Sequence, residues 1–230
     1  MVLSDLSGLL IMKGMMLSMT NKIQIKQPLM PLHLQSKPFL VQEDHYISEC
    51  VIENCKISNE DLRRLTIEQV IFKNVVFENV NWPQVELTDV QFLNCDLSNV
   101  DMSEGTIHRV EFLDCKMLGT ILAEVTFGNT RFKNCHAALC SMGFAKMKQM
   151  LFETCNFEQA DFYECTFKQV GFDACQLNDA NFAHTSLKGI DLSNNFFEKL
   201  QITLNDLEGC VVTNDQAIGF AQALGLIIKE

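Results

Sequence analysis

The chain is poor in the features by which enzymes, nucleic-acid binders and membrane proteins are recognised. Its 18 lysines and arginines are outnumbered by 29 aspartates and glutamates, and the net charge of −11 argues against direct nucleic-acid binding through phosphate neutralisation. No apolar run reaches the roughly 18 to 20 residues of a membrane span, so no membrane association is predicted. Glycine-rich phosphate loops and the G-x-S-x-G and H-E-x-x-H motifs are missing, so we predict neither an enzyme nor a cofactor.

Residues 1–44 lack the pattern of the rest and are predicted to form an N-terminal extension and lead-in. The first 19 residues are mostly apolar, but Asp5 precedes the apolar run and Lys13 interrupts it. A secretory signal has the reverse order, with basic residues before a clean apolar stretch, so we expect a cytoplasmic protein. Three prolines between residues 27 and 38 exclude a helix interior there, and we expect this stretch to be extended.

What the sequence has in abundance is repetition with a period of five. Every fifth residue from Ile47 to Leu207 is apolar, without one insertion. A second column, two residues before each of these centres, is mostly small or β-branched and contains all ten cysteines. A period of five fits neither a helix, with 3.6 residues per turn, nor a strand, with a period of two. It indicates a coil that turns a corner every five residues and points two residues of each five inward.

A longer period shows how many corners make one turn. Similar four-residue strings recur every twenty residues, among them FKNV at 72, FLNC at 92, FLDC at 112 and FKNC at 132. Twenty residues at five per side give four sides. We therefore predict an all-β square solenoid of about eight coils over residues 45–210, with coils stacked at the sheet spacing of about 4.8 Å.

The inward positions predict packing rather than chemistry. Structural zinc needs four converging ligands, whereas these cysteines run in columns one coil apart, so we interpret them as reduced core filler and predict no metal site. Stacked cysteines could approach disulfide distance, but a reducing cytosol disfavours the bond. The weakest repeats lie at residues 136–150, where Ala137 occupies a centre that is elsewhere filled by a large side chain. We expect thinner packing or a bend at that point.

The repeats resemble the pentapeptide-repeat family, whose units follow A-(D/N)-L-x-x. The clearest matches are ADFYE at 160–164, ANFAH at 180–184, CDLSN at 95–99 and VDMSE at 100–104. The resemblance covers about residues 46–210 and implies a right-handed quadrilateral β-helix. The chain departs from the family pattern by using cysteine and valine where alanine is usual.

The surface offers two acidic clusters that contain no base, and both flank buried centres. The first is the candidate partner-facing patch, formed by Glu78, Glu86, Asp89, Asp96, Asp101 and Glu104. The second comprises Glu153, Glu158, Asp161 and Glu164. Such clusters point to a basic partner. The alternative interpretation is a solvated surface whose charge serves solubility.

Residues 211–230 are predicted to form a C-terminal helix and tail. Thr213 or Asn214 can cap a helix whose apolar residues recur at helical spacing, and Gly225 can end it. This element can cover the last coil or make a two-fold contact between two copies. The candidate dimer interface is Phe220, Leu224, Leu226 and Ile227.

The string D-Q-A-x-x-x-x-x-x-L-G-L-x-I, from Asp215 to Ile228, is similar to the C-terminal segment of Qnr-type quinolone-resistance proteins. That resemblance implies a homodimeric acidic rod that imitates duplex DNA. It also implies binding to DNA gyrase and topoisomerase IV, which such rods protect from quinolones. Many Qnr-type members carry loop insertions, and none can be placed here because the five-residue phase is unbroken. The alternative is a general interaction scaffold with no topoisomerase role.

Overall fold

The structure is a computed structural model that describes residues 23–41, 44–223 and 225–229. These residues form β-strands, a short 3-10 helix at Leu204–Leu207 and one α-helix near the C-terminus. The strands are β1 (Gln35–Ser36), β2 (Tyr46–Glu53), β3 (Lys56–Asp61), β4 (Thr66–Lys73), β5 (Val76–Asn81), β6 (Glu86–Leu93), β7 (Thr106–Leu113), β8 (Thr126–Lys133), β9 (Lys146–Glu153) and β10 (Thr166–Asp173), and the helix is α1 (Asn214–Ala223).

The strands stack in parallel along the axis of a four-sided coil. The larger sheet has the order β1-β2-β4-β6-β7-β8-β9-β10, and from β2 onward each strand pairs with the segment twenty residues away, as Phe72 does with Phe92. The smaller sheet contains β3 and β5, and the remaining sides continue as isolated parallel bridges such as Asp96↔Lys116. The predicted fold class, an all-β solenoid with a C-terminal helix, is confirmed.

The number of regular turns is smaller than the eight coils that we predicted. Seven strands of the larger sheet, β2 to β10, define about six turns, and the coil then continues through bridges such as Gln176↔Phe196 and Asp191↔Val211. Residues 186–193, one turn after β10, form no strand, and the 3-10 helix Leu204–Leu207 lies at the start of the turn below them. That helix begins after Thr203 and is held by a capping box between Thr203 and Asp206.

The interior is a stack of aromatic rings lined by small side chains. Phe72, Phe92, Phe112 and Phe132 lie on one another with centroid separations of 4.9, 4.9 and 4.6 Å, and each is fully buried. One coil cannot bury these rings alone, so each turn depends on its neighbours for its apolar burial. Ala137 is fully buried too, and the bridges His136↔Asn156 and Ser141↔Asp161 show that the weak repeat does not interrupt the coil.

The corners of the coil adopt the left-handed backbone conformation. Every fifth residue from Glu49 to Gly189, two places after each centre, has a positive φ. Asparagine tolerates this conformation better than most residues, and several corners hold it. Its side chains also bond between coils, since Nδ2 of Asn74 and of Asn94 each donate to the asparagine one coil above at 2.8 Å. The backbone strain of the corners is thus partly offset by side-chain ladders.

Residues 23–36, which we call the N-terminal strap, cross the coils along the corner that lies in the middle of the strands of the larger sheet. The N–H of Lys26 donates to Asn129, and that of Leu29 to Asp89 two coils higher. Three residues therefore span about 10 Å, which requires an extended backbone. The strap ends in β1, which pairs with β2, and Phe39 then stacks on Trp82 with a centroid separation of 5.9 Å. The extended conformation expected for residues 27–38 agrees with this path, but its docking on the sheet was not foreseen.

Candidate interaction surface

The six acids of the first predicted patch lie on different sides of the coil. Glu86 belongs to the larger sheet, where it pairs with Thr66. Asp96 lies in the bridge ladder that contains Lys116, and Asp101 lies in a third ladder next to Ile121. Residues that are close in sequence are thus turned away from each other, and the patch is not one continuous surface.

Asp89 corrects the prediction that all six acids face outward. It is 3% exposed, because Arg109 on the next coil binds both of its carboxylate oxygens at 2.6 Å and the strap covers it. Burial opposes ionisation, but the hydrogen bonds from Arg109 and the Leu29 N–H outweigh it and hold the pKa of Asp89 below its usual value. Asp89 is therefore a structural anchor and is removed from the candidate site.

Two further acids of the patch have lysine partners on neighbouring coils. Glu78 forms an ion pair with Lys56, and Asp96 forms one with Lys116 at 3.2 Å. Such exposed pairs contribute little to stability, but they reduce the local negative potential. In the second cluster Glu153 is likewise paired, with Arg131.

Five acids do share one side of the coil, and four of them come from the two predicted clusters. We call them the acidic face: Asp101, Glu104, Glu124, Asp161 and Glu164. The aspartates precede a buried centre and accept the N–H of the residue two places later, as in Ser103 N–H to Asp101 Oδ1 at 2.8 Å. The glutamates occupy left-handed corners and are exposed.

No cation interrupts this side over most of its length. Its outward positions hold no lysine or arginine between Arg64 and Leu204. Three coil steps separate Asp101 from Asp161, about 15 Å at the sheet spacing. That is about two Debye lengths at physiological salt, so neighbouring acids of the face reinforce each other's potential. Glu124, which no predicted cluster contained, connects the upper and lower parts.

An exposed aromatic cluster lies within the acidic face. Phe144 is 51% exposed at a left-handed corner, with φ of 62°, which is unusual for a bulky residue. Its ring meets Tyr163 edge-on at 5.5 Å, and Tyr163 meets His184 at 5.4 Å. Exposed aromatics among charges are typical of interface anchors, and strained residues concentrate at functional sites. The signal in the sequence was a phenylalanine in a corner column that is otherwise mostly polar.

The predicted dimer residues are divided between two environments. Phe220 is half-buried and packs on Phe197 at 5.8 Å, so it helps to cover the last coil. Leu226 and Ile227 are 60% and 92% exposed, while Leu224 lies outside the described residues. Gln216 ties α1 to the coil by donating to the carbonyls of Leu192 and Asn195. Whether this end contacts a second copy stays a prediction.

Positive charge collects where we did not predict it. Lys148 and Lys168 are opposite each other on β9 and β10, and Lys188 follows twenty residues later. We call these three exposed residues the lysine column. The signal was available in the sequence as lysine repeated at a spacing of twenty.

The cysteine column forms hydrogen bonds to the backbone of the core. The Sγ of Cys115 donates to the carbonyls of Phe92 and Leu113 at 3.4 and 3.3 Å. In a different column of the coil, burial raises the pKa of the Cys165 thiol to about 12, which disfavours the thiolate of that residue. All ten cysteines are free thiols. Over residues 23–41, 44–223 and 225–229, no three His, Cys, Asp or Glu side chains converge as a metal site would require.

Within the described part of the chain, no helix is long and apolar enough to cross a membrane.

Comparison with known sequences gives two profile matches and one relative of nearly full length. The profile described as "Pentapeptide repeat region" matches residues 105–182 and 145–217, and "Pentapeptide repeats (8 copies)" matches residues 71–106. A Bacillus subtilis protein described as uncharacterized, YisX, is 41% identical over 210 residues, which cover 90% of this chain and 99% of YisX.

Two solved structures show a distant likeness to this chain. Full-length QnrB1, described as a plasmid-mediated fluoroquinolone resistance protein, is 15% identical with a TM-score of 0.38, over 76% of this chain and 100% of that one. HetL from the cyanobacterium Nostoc is 10% identical with a TM-score of 0.23, over 74% and 90% of the two chains. Likenesses at this level carry no inference about function.

Proposed function

Because the chain belongs to the pentapeptide-repeat family, a family of structural and interaction scaffolds, we propose that its acidic face docks on the DNA-binding surface of a type II topoisomerase. DNA gyrase and topoisomerase IV are the candidate enzymes. By occupying the site of duplex DNA, the rod protects the enzyme from quinolone-like poisons.

The observation that carries the proposal is a rigid side of the coil that holds five acids and no cation between Arg64 and Leu204, with an aromatic cluster at Phe144 between its upper and lower acids. Glu104, Glu124 and Glu164 stand on the corners of a coil whose hydrogen-bonded pairing holds their spacing. A rigid anionic rod binds a basic saddle without the entropic cost of ordering a flexible polyanion. Phe144 and Tyr163 add apolar contact area that a purely electrostatic surface lacks.

The resemblance of residues 215–228 to the Qnr-type C-terminal segment gives separate support, together with the length that a dimer reaches. About six regular turns at about 4.8 Å correspond to a rod of about 30 Å, which matches about 9 base pairs. A topoisomerase saddle is two-fold symmetric, so one rod matches only half of it. An isologous contact through the exposed Leu226 and Ile227 supplies the matching axis.

The test is gyrase supercoiling in the presence of ciprofloxacin, with and without the protein. We expect the wild type to restore supercoiling and Glu104→Lys/Glu164→Lys to lose that protection. Glu158→Lys/Glu198→Lys is the matched control, because it changes the net charge equally at two exposed acids outside the acidic face. No effect of the wild-type protein at micromolar concentration would refute the topoisomerase role.

The second candidate function is a general interaction scaffold whose acids serve solubility. It is favoured by the ion pairs of Glu78 and Asp96, which show that part of the acidic surface is internally compensated. Equal loss of protection in the acidic-face variant and its control would indicate a bulk charge effect.

A further inference from the structure

We propose that the side of the coil between the corners at Leu139 and Phe144 is a docking site for a basic amphipathic helix of a partner protein. The inference rests on the proposed function only in taking the acidic face as a docking surface, and it names the part of the partner that binds there. Three observations carry it: where apolar side chains are exposed, which charges surround them, and how the backbone of this side is paired.

The exposed apolar side chains in the middle of the rod are gathered in two neighbouring coils. Over residues 77–195, the four most exposed large apolar side chains are Leu118, Ile121, Leu139 and Phe144, which are between 38% and 55% exposed. We call these four residues the apolar patch. Ile121 pairs with Ser141, so it lies on the side that Leu139 and Phe144 bound, and Leu118 lies just around the corner from it. Apolar residues exposed singly need no explanation, but a group of them marks an interaction surface.

Two residues of the apolar patch occupy corners where the backbone disfavours them. Leu139 and Phe144 have φ of 59° and 62°, in the left-handed region that bulky residues rarely adopt. The other left-handed positions of the described chain hold polar residues, glycine or alanine. Leu139 and Phe144 are also consecutive corners, so they flank one side. Exposed side chains at disfavoured corners add nothing to the core, and such strain concentrates at functional sites.

Small residues separate the two apolar corners. Ser141 and Gly143 hold the outward positions between Leu139 and Phe144. A Cβ at Gly143 would lie 3.1 Å from Oδ2 of Asp161 on the next coil, so the glycine makes room for that carboxylate. No large side chain stands between the two corners, and one partner segment can therefore contact both.

Acids surround the apolar patch on this side of the coil. Glu124 and Glu164 occupy the corners directly above and below Phe144. Asp101 and Asp161 lie above and below the patch in the ladder that runs along this side. The outward positions of the same coils hold no lysine or arginine here. A partner whose apolar residues are flanked by lysine or arginine is complementary to both the patch and its rim.

The surroundings do not favour an occupant from this chain. A second copy would bring the same acids against this acidic rim, and like charges repel. The strap begins at Ile23, which lies against Gly171 on the opposite side of the coil, so the strap does not cover the patch.

The backbone of this side is already paired, which indicates a helix rather than a strand as the occupant. The N–H of Ser141 donates to Thr120 on the coil above at 3.0 Å, and that of Phe144 donates to the coil below at 2.8 Å. An added strand finds no free edge here, whereas a helix satisfies its own backbone and offers an apolar face. Asp101 and Asp161 are three coil steps apart, about 15 Å, which is the length of about ten helical residues.

The test measures fluorescence anisotropy of a labelled peptide of leucine and lysine against the full chain, at low and high salt. The peptide has about 14 residues, with leucine at helical spacing and lysine elsewhere. We expect saturable binding that weakens with salt. A peptide of the same composition in scrambled order has the same charge but no apolar face, and it should bind at least about tenfold more weakly.

The variant Leu139→Asn/Phe144→Asn separates docking from folding. Asparagine tolerates the left-handed corner, so the variant should keep or raise the Tm of the wild type, yet it should bind the ordered peptide at least about tenfold more weakly. The matched control is Val76→Asn/Phe196→Asn. It removes two apolar side chains of similar exposure from another side and should leave binding within about twofold.

Equal affinity for the scrambled peptide, or unchanged binding in Leu139→Asn/Phe144→Asn, would reduce the site to charge attraction and overturn the inference. Failure of the intact chain to bind the ordered peptide would overturn it as well. Peptide binding without any effect on gyrase would contradict the topoisomerase role alone. Protection of gyrase without peptide binding would contradict the helix alone.

Discussion

Replacing Thr154 with asparagine should stabilise the coil by about 1 to 2 kcal/mol. Thr154 occupies a left-handed corner with φ of 54°, a conformation that costs a β-branched residue about 1 to 2 kcal/mol and asparagine less. The corner above it is Asn134, whose Nδ2 already donates to Asp114 at 3.0 Å. A new Nδ2 at position 154 can donate to Oδ1 of Asn134 and extend the ladder, which adds about 0.5 to 1 kcal/mol.

Thermal unfolding followed by circular dichroism measures the effect. A chain of this size should gain about 2–4 °C in Tm per kcal/mol. Thr154→Gly separates the two contributions, since glycine relieves the backbone but adds no ladder bond, and Thr154→Val keeps the β-branch and should give no gain. If glycine and asparagine both leave Tm unchanged, the corner is not strained and the reasoning is refuted.

Three further predictions concern the core, the buried ion pair and the C-terminal end. Cys115→Ala should lower the free energy of unfolding by about 1 kcal/mol, measured by denaturant titration, because buried surface is lost. A chelator should leave the stability of the wild type unchanged. Unfolding by a chelator would contradict the structural role of the thiols. Arg109→Ala should cost about 3 to 5 kcal/mol at pH 7 because it leaves the Asp89 charge buried and unpaired. Because folding lowers the pKa of Asp89, its ionised form stabilises the folded state above the unfolded-state pKa of about 4. This stabilisation is lost as the pH falls through the folded-state pKa. Asp89→Asn should therefore flatten the dependence of the free energy of unfolding on pH in the acidic range. Sedimentation equilibrium should give about twice 26.1 kDa for the intact chain, and the mass of a single chain for the variant Leu226→Asp/Ile227→Asp. An intact dimer in that variant would place the interface elsewhere.

The coil was predictable because its signal is carried by every repeat. Apolar centres such as Phe72 and Phe92 face inward at fixed spacing, so periodicity alone gives the number of sides and the stacking partner. The strap was not predictable in this way. It is held by hydrogen bonds from its backbone to Asn129 and Asp89, and backbone groups leave no mark in the residue types of the strap.

The candidate site was only partly predictable, because closeness along the chain is not closeness on the surface. Glu78 and Glu104 fall in one cluster of the sequence but on different sides of the coil, whereas Glu104 and Glu124 are vertical neighbours. Asp89 was misplaced because its partners, Arg109 and Leu29, lie twenty and sixty residues away. Ordering the outward residues by steps of twenty would have identified both the acidic face and the lysine column.

Because each turn has four sides of five residues, the length of an insertion decides which residues face inward and which side each outward residue occupies. An insertion of one residue shifts every later centre out of the interior and destroys the packing below it. An insertion of five residues keeps the interior in phase but turns everything downstream by a quarter, so that Asp161 and Glu164 would leave the side that holds Asp101 and Glu104. Only an insertion of twenty preserves both. Stability therefore tolerates lengthening in units of one side, whereas the alignment of charges along the rod tolerates it only in units of a whole turn.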